Sequence, residues 1–73
     1  MRGLKDSQIQ AVVAVLMEGA EHVTDIVRLT GLGSGTVHAI LARLERQRIA
    51  GSEWEAGDAE LLGRPLRRRY WLA

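Results

Sequence analysis

The chain has 73 residues, a formal net charge of +1 and no cysteine. A chain of this length forms a single domain, residues 1–73, and buries only about 60% of the surface that its unfolded form exposes. The absence of cysteine excludes a disulfide framework and a thiolate metal site. No apolar run approaches the roughly 18 residues of a membrane span, and the N-terminus lacks the apolar segment of a signal peptide, so we expect a cytoplasmic protein without membrane contact.

The basic residues are unevenly distributed along the chain. Residues 1–30 carry three basic and four acidic side chains, whereas residues 31–73 carry seven arginines and five acids. The planar guanidinium of arginine suits bidentate contacts with phosphate and guanine. The asymmetry is therefore a mild indication of a nucleic-acid partner, although a local excess of charge is commonly just a solvated face.

The first predicted helix covers about residues 7–18. Ser7, with Gln10 three residues later, is typical of a capping box, and Gly19 ends the helix. Apolar residues recur at the spacing of one helix face: Ile9, Val12, Val13, Leu16 and Met17. We expect this face to pack in the core. Beside it, Ala11, Ala14 and Val15 offer a possible face for a homodimer.

A second, shorter helix is predicted over about residues 25–30. Thr24 is suited to cap it, the helix dipole favours Asp25 in the first turn, and Gly31 ends it. The inner side is expected to consist of Val23, Ile26, Val27 and Thr30. A short β-bridge around Val23 is left open as an option for the connector before this helix.

The third predicted helix follows a glycine-rich turn and covers about residues 34–47, with Gly33 or Ser34 as its cap. Its buried stripe consists of Val37, Ile40, Leu41 and Leu44. The opposite face carries Gly35, Ala39, Ala42 and Arg46, flanked by Thr36, His38 and Arg43. Small residues let a helix backbone come close to a surface while a few longer side chains reach out, which is what insertion into the DNA major groove requires.

Alternating residues then predict two antiparallel strands within residues 49–72. Tyr70 and Leu72 are expected on the packed face, Trp54 over the join of hairpin and helices, and Trp71 half exposed on the other face as a candidate contact with a second chain. The tip between the strands is predicted to be a mobile loop, with Leu61 and Leu62 folding back over the sheet as one option.

The order of elements predicts a mainly α fold with a small β-hairpin: two helices, a glycine turn, a third helix and the hairpin. This is a winged helix-turn-helix of three helices and a two-stranded antiparallel wing.

In helix, turn and wing, residues 23–73 resemble the PadR-type winged-helix transcriptional regulators. The matching positions are Gly35, Thr36 and Val37, then Leu41, Arg43, Leu44 and Glu45, then Ile49, Ser52, Trp54 and Glu55, and finally Gly63, Pro65, Arg67, Arg68, Tyr70 and Leu72. The resemblance implies double-stranded DNA as the partner and a regulator, most simply a repressor, located on the nucleoid.

Three departures from the PadR-type pattern matter. His38 replaces the usual tyrosine, which would make a contact there sensitive to pH. Arg48 replaces the usual helix-ending glycine and is expected to be forced toward positive φ, at a cost on the order of 1 kcal/mol. The sequence stops at Ala73, before the C-terminal helices that dimerise in that family, so neither their dimer nor their effector pocket is carried over.

The predicted DNA-binding residues lie on the third helix and in the wing. They are Ser34, Gly35, Thr36, His38, Ala39, Arg43 and Arg46 on the helix, and Arg64, Arg67, Arg68 and Arg69 in the wing. Of these, Arg68 shares a strand face with Tyr70 and has an inward orientation as an alternative.

Neither an enzyme nor a cofactor is predicted. His22 and His38 fall on different elements and, without cysteine, do not form a metal-ligand pattern. Glu53 and Glu55 flank Trp54 on an exposed strand, with no pocket or nucleophile implied. We expect no catalytic site, metal or cofactor, and no small-molecule effector is evident.

Two other functions fit the same pattern. One is a winged-helix module that binds a protein through the small face of the third helix. The other is an architectural DNA-binding factor, such as a recombination accessory protein, that bends DNA instead of regulating a promoter.

Overall fold

The computed structural model describes residues 3–73, so Arg2, which contributes to the charge of the N-terminal half, lies outside the described residues. The elements follow in the order α1 (Asp6–Met17), α2 (Val23–Thr30), α3 (Ser34–Arg46), β1 (Ala50–Trp54), α4 (Ala59–Leu62) and β2 (Arg68–Leu72). The two strands pair antiparallel. Three main helices and a two-stranded sheet confirm the predicted winged helix-turn-helix.

The core forms where α1, α2 and α3 meet the inner face of the hairpin. It contains one side of each helix and two hairpin residues: Val12, Val15, Leu16, Ile26, Val37, Ile40, Leu41, Leu44, Ala50 and Tyr70. The stripe predicted for α3 is fully confirmed, since its four members are at most 2% exposed. Their i, i+3, i+4, i+7 spacing puts them on one face, which packs on α1, α2 and β1.

The buried face of α1 is rotated relative to the prediction. Met17 is 73% exposed, whereas Val15, expected on a possible dimer face, is buried. Helix α1 packs against β2 as well as against α2 and α3, so its buried face is not confined to the predicted stripe. Of the proposed dimer face only Ala14 is exposed and Ala11 half-buried.

Helix α1 begins earlier than predicted. Lys5 is its N-cap residue, and the Lys5 backbone N–H donates to Gln8 Oε1 at 3.1 Å, so the prediction of Ser7 and Gln10 as a capping box is wrong. Leu4 and Ile9 occupy the two positions of a hydrophobic staple around this cap, and both pack against the core. Their burial fixes the start of the helix.

Helix α2 begins at Val23 and not after Thr24, and its N-cap residue is His22. The Tyr70 backbone N–H donates to the Glu21 carbonyl at 2.8 Å, which holds the chain extended up to the start of the helix. The optional β-bridge around Val23 was therefore placed wrongly, because the backbone hydrogen bond to the sheet is made by Glu21. Gly31 ends the helix as predicted, at φ 75°.

The wing tip contains a short helix, whereas the prediction was a loop with no further element. The four residues of α4 are capped by Asp58, whose side chain accepts from the Glu60 N–H at 2.9 Å, and Gly63 ends the turn at φ 73°. Leu61 is 88% exposed and Leu62 46% exposed, so they do not form a lid over the sheet. This short helix is capped at both ends and has no buried residue.

Candidate nucleic-acid interface

Helix α3 has one buried face and one open face. Along the open face, Gly35, Ala39 and Ala42 are exposed, and a Cβ placed on Gly35 would have no neighbouring atom within 4 Å. Among the flanking side chains, His38 and Arg43 are exposed and Thr36 is half-buried. The predicted helix residues are thus together on one accessible surface, with Ser34 and Arg46 exposed at its two ends.

The arginines at the end of α3 are free of intramolecular partners. Within residues 3–73, the side chains of Arg43 and Arg46 take part in no hydrogen bond or ion pair. Both guanidinium groups are therefore available to an external anion. The chain then turns into the wing at Arg48, where φ is 61°, as predicted from the missing glycine.

The four wing arginines occupy four different environments. Arg64 forms a two-pronged ion pair with Glu55, in which Arg64 Nη2 donates to Oε2 at 3.2 Å and Nη1 to Oε1. Arg69 lies on the outer face between Glu21 and Glu53, at 3.5 and 3.7 Å. Contact of these two with DNA stays a prediction.

Arg68 and Arg67 differ although they are adjacent. Arg68 points to the inner face: its Nε donates to Ser52 Oγ at 2.9 Å, and its guanidinium carbon lies 5.3 Å from the centre of the Trp54 ring. The Arg67 side chain is exposed and has no hydrogen bond or ion pair to any part of the chain that the structure describes. Its backbone N–H donates to Glu55 Oε1 at 2.7 Å.

These contacts hold Glu55 in its charged form. The hydrogen bonds from the Arg64 side chain and then from the Arg67 backbone lower the pKa of Glu55 from 4.5 to about 2, against a smaller effect of desolvation. The same pair raises the pKa of Arg64. Glu55, just after β1, therefore binds both Arg64 at the wing tip and the backbone of Arg67 just before β2.

Tyr70 is the aromatic anchor of the sheet, as predicted, and is only 7% exposed. Burial raises the pKa of its phenol, and the charge of Glu45 acts in the same direction. Trp71 lies on the outer face, 39% exposed as expected, and covers Gly51 so closely that a Cβ there would be 2.8 Å from its Nε1.

Contrary to the prediction, Trp54 does not cover the join of wing and helices. It is 62% exposed. The reason is that its position at the end of β1, opposite Arg68, carries it beyond the helices. There it borders a groove of about 260 Å³ between the start of α2, α3 and the wing.

This groove brings together residues that the sequence patterns do not connect. Its lining consists of His22, Val23, Thr24, His38, Trp54, Arg67, Arg68 and Tyr70. The start of α2 was not predicted as part of an interface. The order of helix, turn and helix could have indicated that α2 takes part, because the first helix of a helix-turn-helix crosses the DNA backbone.

No set of three or more His, Cys, Asp or Glu side chains suited to a metal ion occurs in the described part of the chain. Over residues 3–73, no helix has the length and apolar character needed to cross a membrane.

The IclR helix-turn-helix domain family matches residues 11–52, which is more than half of the chain. The chain belongs to the IclR helix-turn-helix family. The match covers all of α2 and α3 and most of α1, and it ends within β1. An IclR-type helix-turn-helix domain is a DNA-binding unit of transcription regulators. The narrower resemblance to PadR-type regulators stays a prediction.

No curated protein matches the IclR-type chain. Among solved structures, it is similar to Stf76 from the Sulfolobus islandicus plasmid-virus pSSVx, with a TM-score of 0.73 and 15% identity over 89% of this chain and 79% of that one. At this level of identity the similarity is one of fold.

Proposed function

We propose that the chain is a sequence-specific double-stranded DNA-binding transcriptional regulator that represses by occupying a promoter or operator. The observation that carries this proposal is the open face of α3. Exposed Gly35, Ala39 and Ala42 leave room for a groove wall, and Arg43 and Arg46 are free of intramolecular partners among the described residues. The PadR-like order of wing residues and the IclR-type helix-turn-helix support the same role.

In this proposal α3 enters the major groove. Ser34, Thr36, His38, Ala39 and Arg43 are nearest the bases, and Arg46 is nearer the backbone. No side chain caps the N-terminus of α3, so its first backbone N–H groups and the helix dipole favour a phosphate beside Gly35. The helix then selects the sequence, and the wing adds salt-dependent affinity.

A single module of this kind buries on the order of 600–1,000 Å² on DNA, so we propose that two copies act on one site. The exposed part of Trp71 and the exposed Ala14 of α1 are the surfaces available for pairing. Light scattering during size exclusion, with and without operator DNA, tests this. A mass of one chain throughout, and one chain per duplex, would contradict it.

The main test is a fluorescence-anisotropy titration with random-sequence duplex over a range of salt concentrations. We expect binding that weakens linearly in a plot of log affinity against log salt. No binding at low salt would contradict DNA binding and leave the protein-interaction function. Selection from a random pool, followed by a reporter assay and a bending assay, separates a repressor from an architectural factor.

A variant pair sharpens this test. Arg43→Ala removes an unpaired arginine from the open face of α3. Arg28→Ala removes the same charge from the end of α2 remote from the groove, where Arg28 pairs with Asp25 at 3.1 Å. We expect only Arg43→Ala to relax sequence preference, by about 1–3 kcal/mol at one base pair.

A further inference from the structure

Side-chain contacts link the C-terminal part of α3 to both wing strands. Ser52 Oγ donates to Glu45 Oε2 at 2.7 Å and accepts from Arg68 Nε at 2.9 Å. Arg68 in turn lies over the ring of Trp54. Glu45 belongs to α3, Ser52 to β1 and Arg68 to β2, so one connected set of side chains spans all three elements.

The direction of these hydrogen bonds is determined by the chemistry of the groups. A serine hydroxyl has one proton, and Glu45, as a carboxylate, is only an acceptor. The proton of Ser52 is therefore directed to Glu45, which leaves its lone pairs to accept from Arg68. Each partner depends on the next, because loss of Arg68 removes the only donor to Ser52 Oγ among the described residues.

These contacts hold the Arg68 side chain against the wing itself. Its Nε–H is used, and its guanidinium is held against an aromatic face, where a cation is attracted by the ring. Arg67, one residue earlier, has an exposed side chain with no such partner within residues 3–73. The two arginines therefore differ in role although they have the same charge.

We propose that Arg68 is a positioning residue that sets the orientation of the wing relative to α3 through Ser52 and Glu45, and that Arg67 is the wing arginine that contacts phosphate. This inference rests on the proposed DNA-binding function. Wing orientation determines whether Arg67 and α3 reach the same duplex together, so Arg68 controls affinity without touching DNA.

The test compares Arg67→Gln with Arg68→Gln on one selected duplex over a range of salt concentrations. Loss of a phosphate contact reduces the slope of log affinity against log salt by about 0.9. We expect that reduction for Arg67→Gln. For Arg68→Gln we expect an affinity about tenfold lower at every salt concentration, with the slope unchanged. A reduced slope for Arg68→Gln would overturn the proposal.

Arg68→Lys provides a second, independent readout. Lysine retains the charge but has no Nε–H fork with which to bond Ser52 while lying flat on Trp54. We expect Arg68→Lys to bind DNA as weakly as Arg68→Gln. We expect Ser52→Ala to lower the affinity by a similar factor, and the double variant Ser52→Ala/Arg68→Gln to bind no more weakly than either single variant. Full rescue by lysine, or additive losses, would show that Arg68 acts as a charge and would overturn the positioning role.

Circular dichroism melting of each variant is measured alongside. A variant that does not fold at the assay temperature is replaced by Glu45→Ala, which removes the acceptor at the other end of the same contacts, and we again expect weaker binding with an unchanged slope. If the unaltered chain binds no duplex at low salt, the proposed function itself fails, and this is known before any variant is compared.

Discussion

At the scale of single residues, identical side chains have different roles. The backbone conformation of Arg48 is one feature that could be predicted before the structure was known. The end of α3 turns back toward β1 within a few residues, so one residue must adopt the left-handed conformation, and Arg48 does so at φ 61°. This was predicted from the resemblance to PadR-type regulators, which usually have a helix-ending glycine at this position.

Replacing Arg48 with glycine should stabilise the fold. Relief of left-handed strain outweighs the added entropy of the unfolded chain, and we expect the free energy of unfolding to rise by a few tenths to about 1 kcal/mol. Urea denaturation measures the change. Arg48→Ala is the control, because it removes the side chain but retains the strain. A lower unfolding free energy for Arg48→Gly than for the unaltered chain would contradict this account of the turn.

The wing arginines show where reasoning from single residues stops. The sequence sets Arg68 apart, because it shares a strand face with Tyr70, but offers no means of distinguishing Arg64, Arg67 and Arg69 from one another. Their partners come from distant positions: Glu55 for Arg64, Ser52 for Arg68 and Glu21 for Arg69. Only the register of the two strands and the approach of the segment before α2 bring these partners into reach.

At the scale of elements, the wing tip is held by local contacts. Glu55 accepts from Arg64 and from the Arg67 backbone, and α4 is capped at both ends. The sequence contained these signals, since Asp58 precedes a short helical segment and Gly63 follows it. The glycine and proline residues around that segment favour a loop, which is why the helix was not predicted.

The stability of the wing should depend on pH through Glu55. Its pKa is lowered in the folded chain from 4.5 to about 2, so its contribution to stability is complete above pH 4.5 and is lost as the pH falls toward 2. We therefore expect Glu55→Gln to melt at a lower temperature than the unaltered chain at neutral pH, and the difference to disappear near pH 2.

Thermal unfolding at several pH values measures this, with Glu53→Gln as the control. Glu53 is exposed and, among the described residues, its side chain forms one ion pair, with Arg69 at 3.7 Å, so its replacement should change the melting temperature little. A difference between Glu55→Gln and the unaltered chain that persists unchanged at pH 2 would show that the lost contact is not one of charge.

A larger residue in place of Gly35, on the open face of α3, should make the fold more stable and DNA binding weaker. Gly35 lies in the first turn of α3, and a Cβ added there would have no neighbouring atom within 4 Å, so Gly35→Ala should stabilise the helix by up to about 1 kcal/mol. The added methyl group would meet the DNA, and we expect weaker binding to a selected site. Melting and anisotropy measured together check this, and unchanged affinity would place Gly35 outside the interface.

At the scale of the whole molecule, the core is small and each member matters. A domain of this length has roughly 4–11 kcal/mol of total stability. Ile40 is fully buried at the centre of α3, and truncation of such a residue to alanine costs about 2–5 kcal/mol.

We expect Ile40→Ala to lower the melting temperature by roughly 10–30 °C, and bound operator DNA to restore part of this loss by mass action. Ala39→Ser, on the adjacent exposed face, is the control and should change stability by less than about 0.5 kcal/mol. A small effect of Ile40→Ala would mean that the core relaxes around the cavity.

The amino-acid sequence alone was sufficient to predict the order of the three main helices and two strands, the buried stripe of α3, its open face of small residues and the alternation of the strands. These follow from helical and strand periodicity and from local backbone sterics, which act over a few residues. Tertiary contacts were needed to establish that Val15 is buried, that α2 begins at Val23, that Trp54 is exposed, and which wing arginines are paired. Those outcomes depend on contacts between segments far apart in the chain, and no local pattern encodes which distant side chain will be the neighbour.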